Sequence, residues 1–414
     1  MEAFAAVRAD TGNALVAAVR HPRVRGVLLI AGIVLIGANL RPAITSVGPL
    51  VEQIRLDTGI SAAVAGLLTT LPVLAFGLFA VLASLVGRRF GLEAAMLASL
   101  LILAGGIGVR AVPGIAPLFA GTIVLGIGIA VANVLLPALV KRDFPRRLGA
   151  MTALYSSLLG GFGAIGSGVA VPLADGTALG WRGALAIWAV PALIAAVAWA
   201  PQLAVGGGGR DVPEPVAAPG DAWRSRVGWE VTLFFAVQAL GFYVTIAWLP
   251  TILIDAGLVE ARAGLMLFVL QISIVVSMLV FPRIAELAAD QRQLVGVMSA
   301  LAIAGAIGLL AAGTGTVVLW VVLLGLGQGA GMSLALMFFV LRSRDAHQAS
   351  ELSGMAQGVG YTLAATGPVL AGLIHDATSS WVPVLVMLVA VAVGLFACGM
   401  RAGRAIVIGE VDER

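Results

Sequence analysis

The sequence predicts an all-α membrane protein in which twelve transmembrane helices form two pseudo-symmetric six-helix bundles. Three observations predict this fold class: an apolar composition, many long apolar runs, and one polar segment in the middle of the chain. Of the 414 residues, 60% are hydrophobic and 11% are charged, whereas a soluble domain has about 45–50% apolar and about 25% charged residues. The mean hydropathy of +1.06 agrees with a chain that lies mainly in lipid.

The apolar runs have the length of membrane helices. A helix that crosses the bilayer needs about 20 mostly apolar residues. Runs of this kind, which we number span 1 to span 12, lie at 26–52, 61–86, 92–110, 115–140, 148–173, 179–201, 229–255, 262–284, 293–312, 316–341, 351–374 and 380–401. Because the number of spans is even, both chain ends are expected on the same side of the membrane.

The middle segment is predicted to be a flexible linker. It contains a glycine run, Gly206–Gly209, together with several prolines and acidic residues, which is a composition typical of linkers. The chain is therefore expected to consist of a lead-in, a first bundle, a linker, a second bundle and a tail, at 1–25, 26–201, 202–228, 229–402 and 403–414.

The two bundles repeat each other weakly. Leu125-Gly126-Ile127-Gly128 returns in the second half as Leu324-Gly325-Leu326-Gly327. Repeats joined by a central linker are the organisation of transporters that place substrate between the halves, near the middle of the membrane.

Basic residues predict the orientation. Most Lys and Arg residues fall in segments on the side of the chain ends, and the opposite segments hold only Arg55, Arg110, Arg182 and Arg262. Because loops rich in Lys and Arg remain on the cytoplasmic side, we expect both termini to be cytoplasmic in a bacterial inner membrane.

Arg41 is the most informative residue because it lies near the middle of span 1. A guanidinium at that depth costs at least about 2.5–3.5 kcal/mol. Arg41 is predicted either to bind an anionic or electronegative substrate group, which its planar fork suits, or to donate to helix carbonyls. Pro42 is expected to kink or break the helix, and broken helices at mid-depth commonly line substrate sites.

Other polar side chains at mid-depth are candidates for the same site. Thr45 shares a helix face with Arg41, whereas Asn39 points to another face and can equally cross-link helices. Tyr243 lies near the repeat equivalent of Arg41, so that Phe242, Tyr243 and Trp248 are expected to form an aromatic wall. The remaining candidates can bind substrate or a neighbouring helix: Asn133, Tyr155, Gln238, Gln271, Gln328, Gln357 and Tyr361.

Several other functions are disfavoured. No Asp or Glu lies near the centre of a predicted span, so a buried carboxylate that carries a proton is not apparent. Cys398 is the single cysteine, and no Cys/His spacing indicates a metal site. We expect no catalytic residues, cofactor, metal or nucleic-acid partner. The expected partners are a small-molecule solute and the lipid bilayer, and the expected state is a monomer.

One long segment carries a family resemblance. Asn39-Leu40-Arg41-Pro42-Ala43-Ile44-Thr45-Ser46-Val47-Gly48-Pro49-Leu50, followed by Gly59-Ile60-Ser61 and Gly66-Leu67-Leu68-Thr69-Thr70-Leu71-Pro72, resembles the cyanate-porter and 2-nitroimidazole-transporter branch of the major facilitator superfamily. The resemblance implies the major facilitator fold, a rocker-switch carrier and a cavity lined by spans 1, 4, 7 and 10. The segment Gly87-Arg88-Arg89-Phe90-Gly91 departs from the superfamily pattern, since Arg88 stands where an aspartate usually lies.

We therefore expect a secondary active transporter that moves a small anionic or electronegative solute, such as a cyanate-like anion or a small nitrogen heterocycle, across the inner membrane. Arg41 is expected to bind the solute. Export of nitroaromatic or other toxic compounds is an alternative within the same class. An intramembrane enzyme or sensor is the alternative from a different class.

Overall fold

The computed structural model describes residues 22–60, 62–176, 178, 180–203, 220–311 and 314–410. These residues form helices joined by short connections, and no β-strand occurs within the described ranges. Most of the predicted lead-in, residues 204–219 of the predicted linker and the last four residues of the chain lie outside them.

Two of the spans are interrupted and the others are single helices. Span 1 consists of Pro22–Asn39, Pro42–Thr45 and Val47–Thr58, and span 6 consists of Gly180–Ala186 and Ala189–Trp199. The single-helix spans, in chain order, are Ala62–Phe90, Leu92–Ala111, Ile115–Asp143, Leu148–Gly176, Arg226–Asp255, Glu260–Leu287, Arg292–Ala311, Val317–Leu341, Ala346–Thr378 and Val382–Ala402.

The helices confirm the predicted fold class. Within the described residues, 11 helical stretches are long and apolar enough to cross a membrane. Span 11 is not among them, although its 33 residues extend about 50 Å at 1.5 Å per residue. Its polar side chains, such as Gln348 and Gln357, are buried against protein, because span 11 packs between spans 2 and 7. The part of a helix that is enclosed by other helices does not need an apolar surface.

The linker boundary differs from the prediction. A short helix, Asp221–Arg224, lies inside the predicted linker and is followed at once by span 7, which begins at Arg226. The Ser225 side chain caps span 7 by accepting a hydrogen bond from the backbone N–H of Gly228. Serine is a preferred residue at this position because it satisfies a free N–H of the first turn.

The described part of the tail is packed against the second bundle. Arg404 donates to both carboxylate oxygens of Glu230, at 2.8 and 2.9 Å. Ile408 is buried, and its backbone N–H donates to the carbonyl of Arg342 at 2.9 Å. The end of span 12 is therefore tied to the beginning of span 7 and the end of span 10.

Glycines allow close approach within the first bundle. Spans 3 and 4 pack so closely that a Cβ on Gly128 of span 4 would lie 2.7 Å from the backbone nitrogen of Leu103 and the carbonyl oxygen of Ser99. Gly105 of span 3, in contrast, has nothing within 4 Å of an added Cβ. The contact between spans 3 and 4 therefore depends on particular glycines.

Contacts between the two halves occur near the face where the described residues begin and end, at Pro22 and Glu410, which we call the terminal face. A Cβ on Gly354 of span 11 would lie 2.9 Å from the carbonyl oxygen of Ala80 in span 2. Lys141, at the end of span 4, donates to the carbonyls of Val340 and Ser343 at 2.7 and 2.6 Å. Those carbonyls belong to the end of span 10, where a cation is favoured by the helix dipole.

Replacing Gly128 with Ala is expected to lower stability by about 1–3 kcal/mol, because the added methyl group has no room between spans 3 and 4. Gly105→Ala is the matched control and is expected to be neutral or stabilising, since alanine favours a helix by up to about 1 kcal/mol over glycine. Thermal unfolding of the purified variants measures both effects. Equal melting temperatures for the two variants would contradict the role given to Gly128.

Candidate functional site

Span 1 is interrupted where Arg41 lies. The first segment ends at Asn39, and Arg41 directly precedes the short helix that begins with Pro42, with φ −118° and ψ −40°. Proline has no N–H to donate to the preceding turn, so the first helical segment ends before it. The predicted break at Pro42 is confirmed.

The Arg41 side chain lies at the boundary between the two halves. A Cβ added to Gly163 of span 5 would lie 3.2 Å from the Arg41 Cβ, so the glycine makes room for the side chain. The guanidinium interacts electrostatically with Tyr243 of span 7 and Tyr361 of span 11. A cation from the first half thus faces two phenol groups from the second, and Arg41 remains partly exposed.

Tyr361 is the centre of an aromatic cluster. Its ring centroid lies 5.4 Å from Phe76, 5.2 Å from Phe235 and 6.3 Å from Tyr243. The pairs with Phe235 and Tyr243 have interplanar angles of 88° and 75°, the edge-to-face geometry that aromatic rings prefer. Phe76 and Phe235 were not predicted, because a phenylalanine within an apolar run gives no signal that separates it from ordinary core residues.

The predicted aromatic wall differs in two of its three members. Trp248 donates its indole N–H to the carbonyl of Pro368 at 2.9 Å and lies 5.0 Å from the ring of Trp381. Phe242 borders a small cavity inside the second bundle. Of the three predicted residues, only Tyr243 faces Arg41.

Asn133 and Gln357 meet across the two halves. The Gln357 amide donates to the backbone carbonyl of Asn133 at 3.3 Å and to the Ser353 hydroxyl at 2.7 Å. The Asn133 amide nitrogen is buried without a hydrogen-bond partner among the described residues. Because Gln357 precedes Tyr361 by four positions, both side chains lie on the same face of span 11.

Asn39 and Thr45 bond neighbouring helices. The Asn39 amide donates to the carbonyls of Leu35 and Pro191 at 2.7 and 3.2 Å, which links span 1 to span 6. The Thr45 hydroxyl donates to the carbonyl of Gly163 at 2.7 Å, which links span 1 to span 5. The structure therefore favours the helix-linking alternative for Asn39, and Thr45, which was predicted to bind substrate, also bonds a neighbouring helix.

The other predicted residues lie elsewhere. Gln238 donates to the backbone carbonyl of Gln328 at 2.8 Å, and the Gln328 amide donates to the Thr245 hydroxyl at 2.7 Å. This network joins spans 7 and 10 inside the second bundle. Gln328 of span 10 therefore bonds span 7 and does not show the contribution to the cavity that was expected of span 10. Tyr155 is buried in the first bundle, and Gln271 is partly exposed on span 8.

Arg110 is a buried arginine that was not predicted to be a site residue. Arg110 was assigned to a segment outside the membrane, but its side chain is 1% exposed. It donates to the carbonyl of Ala43 at 2.7 Å and to that of Leu185 at 3.4 Å. These carbonyls belong to the interrupted spans 1 and 6. An arginine at the end of an apolar run has no sequence signal that distinguishes a loop position from an inward one.

Spans 1 and 6 are also joined at the far face. Arg182 donates to the Asp57 carboxylate at 2.5 Å, and the Trp181 indole donates to the same oxygen at 3.3 Å. The hydrogen bond from Arg182 lowers the pKa of Asp57 below its ordinary value. Elsewhere in the described ranges, no cluster of His, Cys, Asp and Glu side chains is arranged to hold a metal ion.

The chain is similar to known membrane transporters. Residues 27–368 match the family model of the Major Facilitator Superfamily. The 2-nitroimidazole transporter of Escherichia coli (strain K12) is 42% identical over 380 residues, which cover 91% of this chain and 96% of that protein. The cyanate transport protein CynX of the same organism is 30% identical over 352 residues, which cover 84% and 90%.

A solved structure shows the same fold. The proton:xylose symporter XylE aligns with a TM-score of 0.74 at 12% identity and covers 93% of this chain and 98% of its own. The family match and the similar transporters thus define a multi-pass membrane protein that is a secondary transporter of small solutes, and not an enzyme. The chain belongs to the major facilitator superfamily, in the branch of the 2-nitroimidazole and cyanate transporters.

Substitutions of Thr45 and Tyr243 that remove the hydroxyl group are expected to differ in their effect on stability. Thr45→Val removes the hydrogen bond to Gly163 and is expected to lower stability by about 1 kcal/mol. Tyr243→Phe is expected to lower stability less than Thr45→Val, because the Tyr243 hydroxyl has no hydrogen-bond partner of good geometry among the described residues and only its electrostatic contact with Arg41 is lost. Thermal unfolding in detergent measures both variants. A larger loss for Tyr243→Phe than for Thr45→Val would overturn this assignment.

Proposed function

We propose that the protein is a secondary active transporter of a small anionic or electronegative solute, which binds to Arg41 between the two halves. The observation that carries this proposal is the partly exposed guanidinium at the break in span 1, opposite Tyr243 and Tyr361. A cation at this depth is costly unless it faces protein or water. An anionic solute would supply the negative charge that the neutral phenol groups of Tyr243 and Tyr361 do not.

The chemistry of the site favours a small planar ligand. A guanidinium donates two parallel hydrogen bonds to carboxylate-like or nitro-like oxygens. The phenol groups of Tyr243 and Tyr361 offer hydroxyls and ring edges beside it, and aromatic rings pack well against planar solutes. The names of the similar proteins, a 2-nitroimidazole transporter and a cyanate transport protein, support solutes of this size and character.

The contacts between the halves support rocker-switch alternating access. Gly354 packs against span 2, and Lys141 links span 4 to the end of span 10, both near the terminal face. A carrier of this kind exposes its site to one side at a time as one half rocks against the other. The distribution of Lys and Arg supports a cytoplasmic terminal face in a bacterial inner membrane.

Arg41→Ala is expected to weaken binding of 2-nitroimidazole or cyanate by at least about 30-fold, since truncating one member of a buried charged contact costs about 2 kcal/mol or more. Calorimetry on the purified protein measures the affinity. Accumulation of the same compounds in cells with and without the protein separates uptake from export of toxic nitroaromatic compounds.

Arg262→Ala is the matched control, because Arg262 is an exposed arginine at the beginning of span 8. It is expected to bind both compounds as the wild type does. Wild-type affinity in a folded Arg41→Ala variant would remove Arg41 from the site.

Lys141→Met is expected to open the terminal face, because it removes the donor to the end of span 10. Arg142→Met is the matched control, since the neighbouring Arg142 pairs with Glu93 inside the first bundle at 2.7 Å. Spin labels at Arg89→Cys and His347→Cys, in a Cys398→Ser background, report the distance between the halves. A distance distribution that widens equally in both variants, or in neither, would contradict a closing role for Lys141.

A further inference from the structure

Arg110 has three properties that the proposed role of Arg41 does not account for. Its guanidinium is almost fully buried, it donates only to backbone carbonyls, and those carbonyls come from two different interrupted helices. Among the described residues, no carboxylate lies within salt-bridge distance of it. A buried charge is costly unless it is paired or hydrogen-bonded, and the two carbonyls supply the hydrogen bonds that Arg110 makes through Nη1 and Nη2, while its Nε has no partner among the described residues.

The acceptors are free because both helices end near them. Ala43 lies in the short helix Pro42–Thr45, and Leu185 lies in the last turn of Gly180–Ala186. The last four carbonyls of a helix have no partner within it, and the partial negative charge of a helix C-terminus attracts a cation. One guanidinium, with its fixed fork of donors, therefore closes the breaks of spans 1 and 6 at once.

The break of span 1 is held on its other side by span 5. A Cβ on Gly166 would lie 2.7 Å from the Cα of Pro42, and the Ser167 hydroxyl donates to the carbonyl of Thr45 at 2.9 Å. Span 3, which carries Arg110, packs within the first bundle. The short helix that follows Arg41 is thus fixed between span 5 and the Arg110 guanidinium.

We propose that Arg110 is the positioning residue for the solute site. This inference rests on the function proposed above. In this role Arg110 fixes the orientation of the Arg41 side chain and does not contact the solute itself. Ala43, which accepts its stronger hydrogen bond, lies two residues after Arg41. Loss of the donor frees the short helix to rotate, and the Arg41 fork then no longer faces Tyr243 and Tyr361.

The test compares Arg110→Met and Arg110→Lys with Trp199→Phe. Arg110→Met is expected to weaken binding of 2-nitroimidazole or cyanate by about tenfold, the effect of losing one hydrogen bond to a charged group. Arg110→Lys keeps the charge and one donor group, so it is expected to recover part of the affinity. Trp199→Phe removes the indole bond from span 6 to the carbonyl of Glu93 in span 3 and is expected to keep the affinity within about twofold, as independent sites do.

A second measurement needs no ligand. Gly48 is exposed and lies just after the break, so Gly48→Cys in a Cys398→Ser background reports the freedom of this segment through its rate of maleimide labelling. Arg110→Met is expected to change this rate, and Trp199→Phe is not. Should Arg110→Met fail to fold, the same comparison is made with Arg110→Lys.

The outcomes separate the two proposals. If Arg41→Ala retains wild-type binding, the proposed function fails, and the labelling rate still decides the role of Arg110. If the Arg110 variants lose stability but keep wild-type affinity and labelling, Arg110 is only structural and the positioning role is wrong.

Discussion

A broken helix inside a bilayer must find hydrogen-bond partners within the protein, because hydrocarbon offers none. This constraint governs the first bundle. Spans 1 and 6 are both interrupted, and their free carbonyls are met by side chains from neighbouring helices: Arg110 serves both breaks, and Asn39 adds a bond between them. The break of span 1 also places Arg41 between two helical segments, just before the short helix Pro42–Thr45. Structural and functional demands on this region therefore meet in a few residues around Pro42.

Arg110 and Arg41 show two different ways in which an arginine is accommodated near the break of span 1. Arg110 is sealed among carbonyls and has almost no exposed surface. Arg41 retains exposed surface and faces the second half of the molecule. The asymmetry between the halves follows from this arrangement, since the first supplies a charge and the second supplies aromatic rings. A solute that binds between them contacts both halves, which is the requirement for coupling its binding to their relative movement.

Much of the architecture was predictable because lipid imposes it directly. Long apolar runs predicted the helices, and proline next to arginine predicted the break and the central residue. Side-chain pairing was harder to predict, because a polar residue at mid-depth gives the same sequence signal whether it meets a solute or a helix. Gln238 of span 7 donates to span 10 and Gln328 of span 10 donates to span 7, whereas Tyr361 faces Arg41. Only the packing of the helices separates these outcomes. Arg110 was missed for a related reason, since its position in the sequence fits a loop as well as a core.

The packed tail has a consequence for assembly. Arg404 ties the end of the second bundle to its beginning at Glu230, and Trp199 ties the last span of the first bundle back to span 3. Each bundle is thereby closed by its own contacts. If the chain were divided between Leu203 and Gly220, each polypeptide would keep the hydrogen bonds that link the last span of its bundle to an earlier span.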